Sequence, residues 1–144
     1  MTHWLLMFRP ETYEKVKEHG LIGVNGNHGK RIQLLRPGDK FVAYVSRKRV
    51  LDAHGEITSE SFVDDAPVFG EGTFYPYRAR VRFDGTGAAV DAKELLWGLK
   101  EFEEGAKTTP SNLLLCRGGF MAITEGDYRW LREELAGGGA LSPT

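Results

Sequence analysis

The sequence predicts an α+β domain in which a curled, mostly antiparallel sheet carries about three short helices. Three observations lead there. Apolar and charged residues alternate from Tyr75 to Asp84, with Tyr77, Ala79, Val81 and Phe83 on one face and Arg78, Arg80 and Arg82 on the other. Short helical patterns are bounded by their own start and stop residues. The extended segments follow one another through tight turns rather than alternating evenly with helices, which favours a small barrel over a doubly wound parallel sheet.

The elements follow in order. His3 to Phe8 is apolar and aromatic, a strand by residue type, and Pro10 stands where the first turn of a helix tolerates it. Glu11 and Glu14 suit the positive end of that helix, Lys15, Lys17 and His19 the negative end, and Gly20 the left-handed stop, with Tyr13 and Val16 facing inward. Asn25 to Gly29 holds two glycines and reads as an irregular loop. Arg36-Pro37-Gly38-Asp39 is a turn into a strand at Phe41 to Val45. The basic tip Arg47-Lys48-Arg49 leads into a returning antiparallel strand, Val50 to Thr58, in which Gly55 marks a bulge or a close backbone approach.

Farther on, Asp91 and Glu94 form a capping-box-like start, and Leu95, Leu96, Leu99 and Phe102 continue at helical spacing. Leu113 to Thr124 is an extended apolar stretch broken by Gly118-Gly119. Thr124 and Asp127 open a last helix that buries Tyr128, Leu131 and Leu135 and stops before Gly137. A single domain over 1–136, with a flexible tail over 137–144, is the expected organisation.

Composition narrows the function. Of 144 residues 41% are hydrophobic, enough for one core, and no run approaches the roughly 20 apolar residues of a membrane span. With Met1 to Phe8 unlike a signal peptide, the expected location is the cytoplasm. Cys116, the single cysteine, has no partner for a disulfide or a thiolate zinc site and sits in an apolar strand-like run, where a thiol is usually inert. His3, His19, His28 and His54 lack metal-ligand spacing, and there is no nucleophile elbow or phosphate-cradling loop, so neither metal, cofactor nor catalysis is expected.

Charge is balanced overall, 19 basic against 20 acidic residues, but it is unevenly placed. Lys30, Arg31, Arg36, Lys40, Arg47, Lys48 and Arg49 face only Asp39 in their stretch, whereas Glu56 to Glu71 is acidic. A polarised surface of this kind is a docking candidate, for a nucleic acid on the basic side or for a protein or small-molecule partner on the acidic one. Trp4, Phe8, Tyr13, Phe69, Phe74, Tyr75 and Tyr77, near Arg9, Arg78 and Arg117, suit a flat ligand, while Trp4, Phe83 and Tyr128 fit the core better.

The order of several segments resembles the EVE family, a PUA-like branch related to YTH domains. The matching pieces are Thr2-His3-Trp4, Leu21-Ile22-Gly23-Val24 with His28, Arg36-Pro37-Gly38-Asp39 before Tyr44-Val45, and Gly55 to Glu60. Asp64-Asp65-Ala66-Pro67-Val68-Phe69, Tyr75-Pro76-Tyr77-Arg78, Arg117-Gly118 and Thr124 to Tyr128 complete them. The resemblance implies a PUA-like pseudobarrel and a non-catalytic reader of a modified nucleobase, such as modified cytosine in DNA, with RNA readers as cousins. It implies a base pocket of Phe8, Arg9, Val24, Asn25, Phe69, Arg117 and Gly118, to which the rings of Tyr13 and Tyr77 are added here. Phosphate contacts fall to Lys30, Arg31, Arg47, Lys48 and Arg49. Phe8, Tyr13 and Asn25-Gly26 depart from the family's usual residues at those places.

Overall fold

The computed structural model describes residues 1–70, 74–92, 95–99 and 119–137, apart from the side chains of Asn27 and Trp97. Phe102, Cys116, Arg117, Gly118 and the first half of the Leu113 to Thr124 stretch lie outside the described residues, as do Glu71 and Glu94. Eight strands form one curled mixed sheet: β1 His3–Phe8, β2 Leu21–Val24, β3 Lys40–Val45, β4 Val50–Ile57, β5 Phe62–Val63, β6 Tyr77–Gly85, β7 Val90–Asp91 and β8 Phe120–Ile123. Among the described residues three α-helices accompany it: α1 Pro10–His19, α2 Gly29–Ile32 and α3 Glu125–Ala136. The strand order is β2-β6-β4-β3-β1-β8, with β5 added to β6 and β7 to β4. This half-barrel is the α+β pseudobarrel that the sequence suggested.

β1 reads as continuously apolar because both its faces are covered. Trp4 and Leu6 join Phe41, Ala43, Val45 and Ile57 in the barrel core. Leu5 turns the other way, with Val42, Tyr44 and Leu51, to meet Tyr128, Leu131 and Leu135 of α3. That helix begins as its residues dictate, since the Thr124 hydroxyl accepts the Asp127 N–H at 3.0 Å. α1 ends on Gly20, at φ 64°, whose N–H donates to Val16 C=O at 2.9 Å.

The central pairing is less local than the sequence suggested. β1 runs parallel to β3, His3 opposite Lys40 through Phe8 opposite Val45, and antiparallel to β8. Asp39, 3% exposed, sets that register. Its carboxylate accepts from Thr2 N–H at 2.9 Å, Trp4 Nε1–H at 3.0 Å and Arg36 N–H at 3.1 Å, fastening the start of β1 to the turn that launches β3.

Three expectations need correction. The helical run expected from Asp91 is preceded by a strand pair: Val90 and Asp91 pair with Leu51 and Val50, and Ala92 N–H donates to Arg49 C=O, while Glu94, the other half of the expected capping box, is outside the described residues. Leu95–Gly98 is instead a 3-10 turn, whose three-residue repeat still buries Leu96 and Leu99. The stretch from Asn25 is not irregular throughout. Gly26–His28 forms a 3-10 turn and α2 follows at once, because Gly29 lets the Tyr77 ring pack where a Cβ would stand 3.1 Å away. Arg78 does not share the exposed environment of Arg80 and Arg82; it is 2% exposed. Gly55 sits at a register shift, and a Cβ there would be 2.1 Å from Arg82 C=O.

On the outer sheet face a charged ladder crosses three strands. Lys40 bonds Glu56, Arg82 reaches Glu56 at 3.3 Å and Asp84 at 2.9 Å, and these cations hold both carboxyls below their usual range. His54 beside them is held below the ordinary imidazole value by burial first, then by Arg132 and Lys40, against Asp84.

Two predictions follow from these contacts. Asp39→Ala strands three donors at the β1–β3 junction and should cost about 3 kcal/mol or more in urea unfolding; a loss under about 1 kcal/mol would remove Asp39 from that role. For pH, the shifts of His54, Glu56 and Asp84 are all downward, so below about pH 7 the folded state binds fewer protons than the unfolded chain and stability declines on acidification. His54 acts first, as pH drops below about 6.5, and His54→Gln should flatten the urea midpoint between pH 7 and 5. Glu56 and Asp84 act below their usual carboxylate range, where Lys40→Met should flatten the acid limb.

Candidate functional site

Among the described residues the two end strands of the sheet, β2 and β8, are not hydrogen-bonded to each other, which leaves a seam between them. A cavity of about 590 Å³ occupies that seam, a volume within the usual range for ligand sites. Ile22, Gly23, Val24 and Asn25 line it from β2 and beyond, Leu6 to Arg9 from the end of β1, and Gly119 and Phe120 from the start of β8. Thr12, His28, Tyr44, Ser46, Arg47, Arg49 and Tyr75 complete the wall.

The β1–β3 register builds the mouth. Phe8 C=O accepts from both Ser46 N–H at 2.8 Å and Ser46 Oγ–H at 3.2 Å, so the tip between β3 and β4 is tied to the end of β1. The tip is tightly wound: Lys48 N–H donates to Ser46 C=O at 2.7 Å and Arg49 N–H to Val45 C=O at 2.9 Å. Arg47 at φ 68° and Arg49 at φ 56° both occupy the left-handed region, which costs a side chain with a Cβ about 1–2 kcal/mol. Arg9, Arg47 and Arg49 are exposed around the opening, with Arg47 3.8 Å from Glu11.

Of the residues singled out in the sequence, Phe8, Arg9, Val24, Asn25, Arg47 and Arg49 come together on this cavity. Tyr13 lies behind it. Its ring stacks on Phe8 at 5.6 Å and 23°, and its buried hydroxyl donates to Asp52 at 2.7 Å; burial and then that carboxylate push its pKa far up. Phe69 lies beneath the β2 wall, 5% exposed, so close that a Cβ on Gly23 would stand 2.6 Å from Cε2. Tyr77 packs under Gly29. Arg31 donates to Phe120 C=O at 3.1 Å and lies over that ring at 5.8 Å, bracing the start of β8. Lys30 and Lys48 are exposed and do not line the cavity, and Arg117 and Gly118 are outside the described residues.

Sequence reasoning left out Thr12, His28, Tyr44, Ser46, Phe120 and, from the pocket itself, Tyr75. Tyr75 carried a usable signal, an aromatic just before Pro76 at a strand entrance. Its placement depends on buried Arg78, which donates from Nε to Tyr75 C=O at 2.9 Å and from Nη2 to Ala66 C=O. The same guanidinium lies 5.1 Å from the Phe69 ring and 3.8 Å from Asp64. Arg78 thus holds both sides of the 64–76 segment against β6. Among the described residues no group of three or more His, Cys, Asp or Glu could hold a metal ion, and no helix is long and apolar enough to cross a membrane.

Comparison with known proteins agrees with this geometry at the level of fold. The Mmi1 YTH domain, solved in complex with RNA, superposes with a TM-score of 0.67 at 12% identity over 94% of this chain and 82% of that one. The architecture is YTH-like. A protein of Agrobacterium tumefaciens matches at TM-score 0.61 and 18% identity, covering 99% of this chain and 97% of its own. By sequence, the chain is similar to a UPF0310 protein of Pyrococcus horikoshii, 32% identical over 97 aligned positions that span 57% of this chain and 66% of the relative. A UPF0310 protein of Pyrococcus abyssi is 33% identical over 93 positions, with the same coverage, so the chain spans just under two thirds of these relatives. No protein-family model matches the chain.

The close approach of Gly23 to Phe69 is directly testable. Gly23→Ala should destabilise by about 1–3 kcal/mol through overpacking, and Phe69→Ala in the same chain should relieve most of that penalty. A double-mutant cycle with no coupling would mean the ring does not set the height of the β2 wall.

Proposed function

We propose that this protein binds nucleic acid by accepting one unstacked, modified base into the seam cavity, and that it binds the base without transforming it. The carrying observation is the cavity itself. It is a slot at an unclosed barrel seam, lined by Phe8, Tyr75 and Phe120 and rimmed by Arg9, Arg47 and Arg49. The YTH-like architecture supports the reading, because the Mmi1 domain with that architecture was solved with RNA. The likeness of its segment order to the EVE family supports the modified base.

The energetics require both parts of the site. Extruding a base costs a few kcal/mol, and stacking on protein rings returns roughly 1–3 kcal/mol per base. The two nearly cancel. Net affinity therefore comes from phosphate contacts, for which the three exposed arginines stand at the mouth. A buried methyl adds about 0.8 kcal/mol, a few-fold preference, so sharper discrimination needs hydrogen bonds to the base edge. Two left-handed arginines at the tip are strain of the kind that persists where a loop has a binding task.

Titration with single-stranded DNA and RNA oligonucleotides carrying plain or modified bases tests the proposal. Binding should weaken steeply with salt, and Arg9→Ala or Arg49→Ala should each weaken it across all sequences and lower the salt slope by about 1. Phe8→Ala should instead erode the preference for the modified base. The oligonucleotide should be recovered with its mass unchanged. Affinity that is absent across the panel, or indifferent to salt, would overturn the proposal in favour of a small-molecule or protein ligand.

A further inference from the structure

The phase of the β2–β6 ladder follows from hydrogen bonds at its ends. Val81 N–H donates to Gly20 C=O at 2.9 Å, on the β2 side. Arg80 faces the other way, its C=O accepting from Thr58 N–H and its N–H donating to Ser59 Oγ. Pro76 C=O likewise accepts from Asp64 N–H, on the β5 side. Odd-numbered residues of β6 therefore aim their main-chain groups at β2, and even-numbered ones do not.

Antiparallel pairs alternate between bonded and non-bonded. Ile22 opposite Ala79 and Val24 opposite Tyr77 are the bonded pairs, and Gly23, opposite Arg78, turns both its N–H and its C=O away from β6. β2 ends the sheet, and among the described residues no strand meets them. Gly23 lines the cavity, and among the described residues none of the hydrogen bonds outside the strand ladders involves it. The missing side chain points elsewhere, toward Phe69, so nothing at this position stands between the strand edge and a ligand.

We propose that Gly23 is the position that reads the ligand: its main-chain N–H and C=O together bind the edge of a planar heterocycle that carries an acceptor and an N–H donor on either side of one ring carbon. Lactam edges, O=C–N–H, and amidine edges, N=C–N–H, have this pattern, and every Watson–Crick base presents one or the other. The donor and acceptor are fixed in the strand, so they need no side chain to be ordered on binding. A ring without the paired edge leaves one main-chain group buried and unmatched. The inference rests on the cavity as a ligand site, and nucleic acid is only its natural source of such rings.

The test uses 2-pyridone, the smallest aromatic lactam, with N-methyl-2-pyridone, which keeps the acceptor and lacks the donor. In the free protein the Gly23 amide should exchange with solvent deuterium at least 10-fold faster than those of Ile22 and Val24, as an unpaired edge requires. Titration with 2-pyridone, followed by nitrogen-15 NMR, should move the Gly23 amide proton downfield, and the N-methyl compound should bind about 10-fold more weakly. Gly23 exchanging as slowly as its neighbours, a Gly23 amide unmoved by 2-pyridone, or equal binding of the two compounds would each overturn the inference. A failed oligonucleotide panel with a shifted Gly23 would remove the nucleic-acid reading and leave this inference standing; base binding with an unmoved Gly23 would do the reverse.

Discussion

The structure depends on one buried carboxylate. Asp39 collects the Thr2 amide, the Trp4 indole and the Arg36 amide, and thereby lays β1 parallel to β3 in a single register. A strand buried on both faces has little to choose between registers by hydrophobicity alone, since a one-residue slip exchanges one apolar face for another. The polar anchor makes the choice. Its consequence appears six residues along, where Phe8 meets Val45 and the Phe8 carbonyl takes both hydrogen-bond donors of Ser46. The arginine tip is thus delivered to the open seam by an interaction at the far end of the strand.

The seam itself is a managed sheet edge. An exposed strand edge invites pairing with another chain, and here the unpaired groups of β2 are turned into a cavity rather than left on the surface. Gly23 can occupy the wall because it has no Cβ to strike Phe69, and Phe69 stays in place because Arg78 holds the segment that carries it. A buried arginine is costly unless its donors find acceptors; two backbone carbonyls take Nε and Nη2, and Nη1, without a hydrogen bond, lies 3.8 Å from the Asp64 carboxylate. Stability beneath the β2 wall and geometry on its open side are coupled through the same few atoms.

Much of this was legible in the chain. The helix bounds at Pro10, Gly20, Thr124 and Gly137 came from local chemistry, as did the bulge at Gly55 and the alternating core face of β6. Phe8, Arg9, Val24, Asn25, Arg47 and Arg49 were singled out from residue type and segment order, and they line one cavity. The short strand at Val90–Asp91 left no such local mark, because the β4 edge it pairs with is some forty residues away in sequence. Phe69, Tyr13 and Tyr77 were placed in the pocket because a ring in a sequence has no side: packing against Gly23, Phe8 and Gly29 decided which rings back the wall and which form it.

The sequence alone determined the longer strands, the first and last helices with their ends, and the polarity of the surface, since these rest on backbone preference, periodicity and charge acting over a few residues. Only the tertiary structure decided that β1 lies between β3 and β8, that β2 and β8 end the described sheet, and that Gly23 turns its main-chain groups away from β6. Those depend on pairings between distant segments and on the phase of a hydrogen-bond ladder, and neither leaves a mark on local composition.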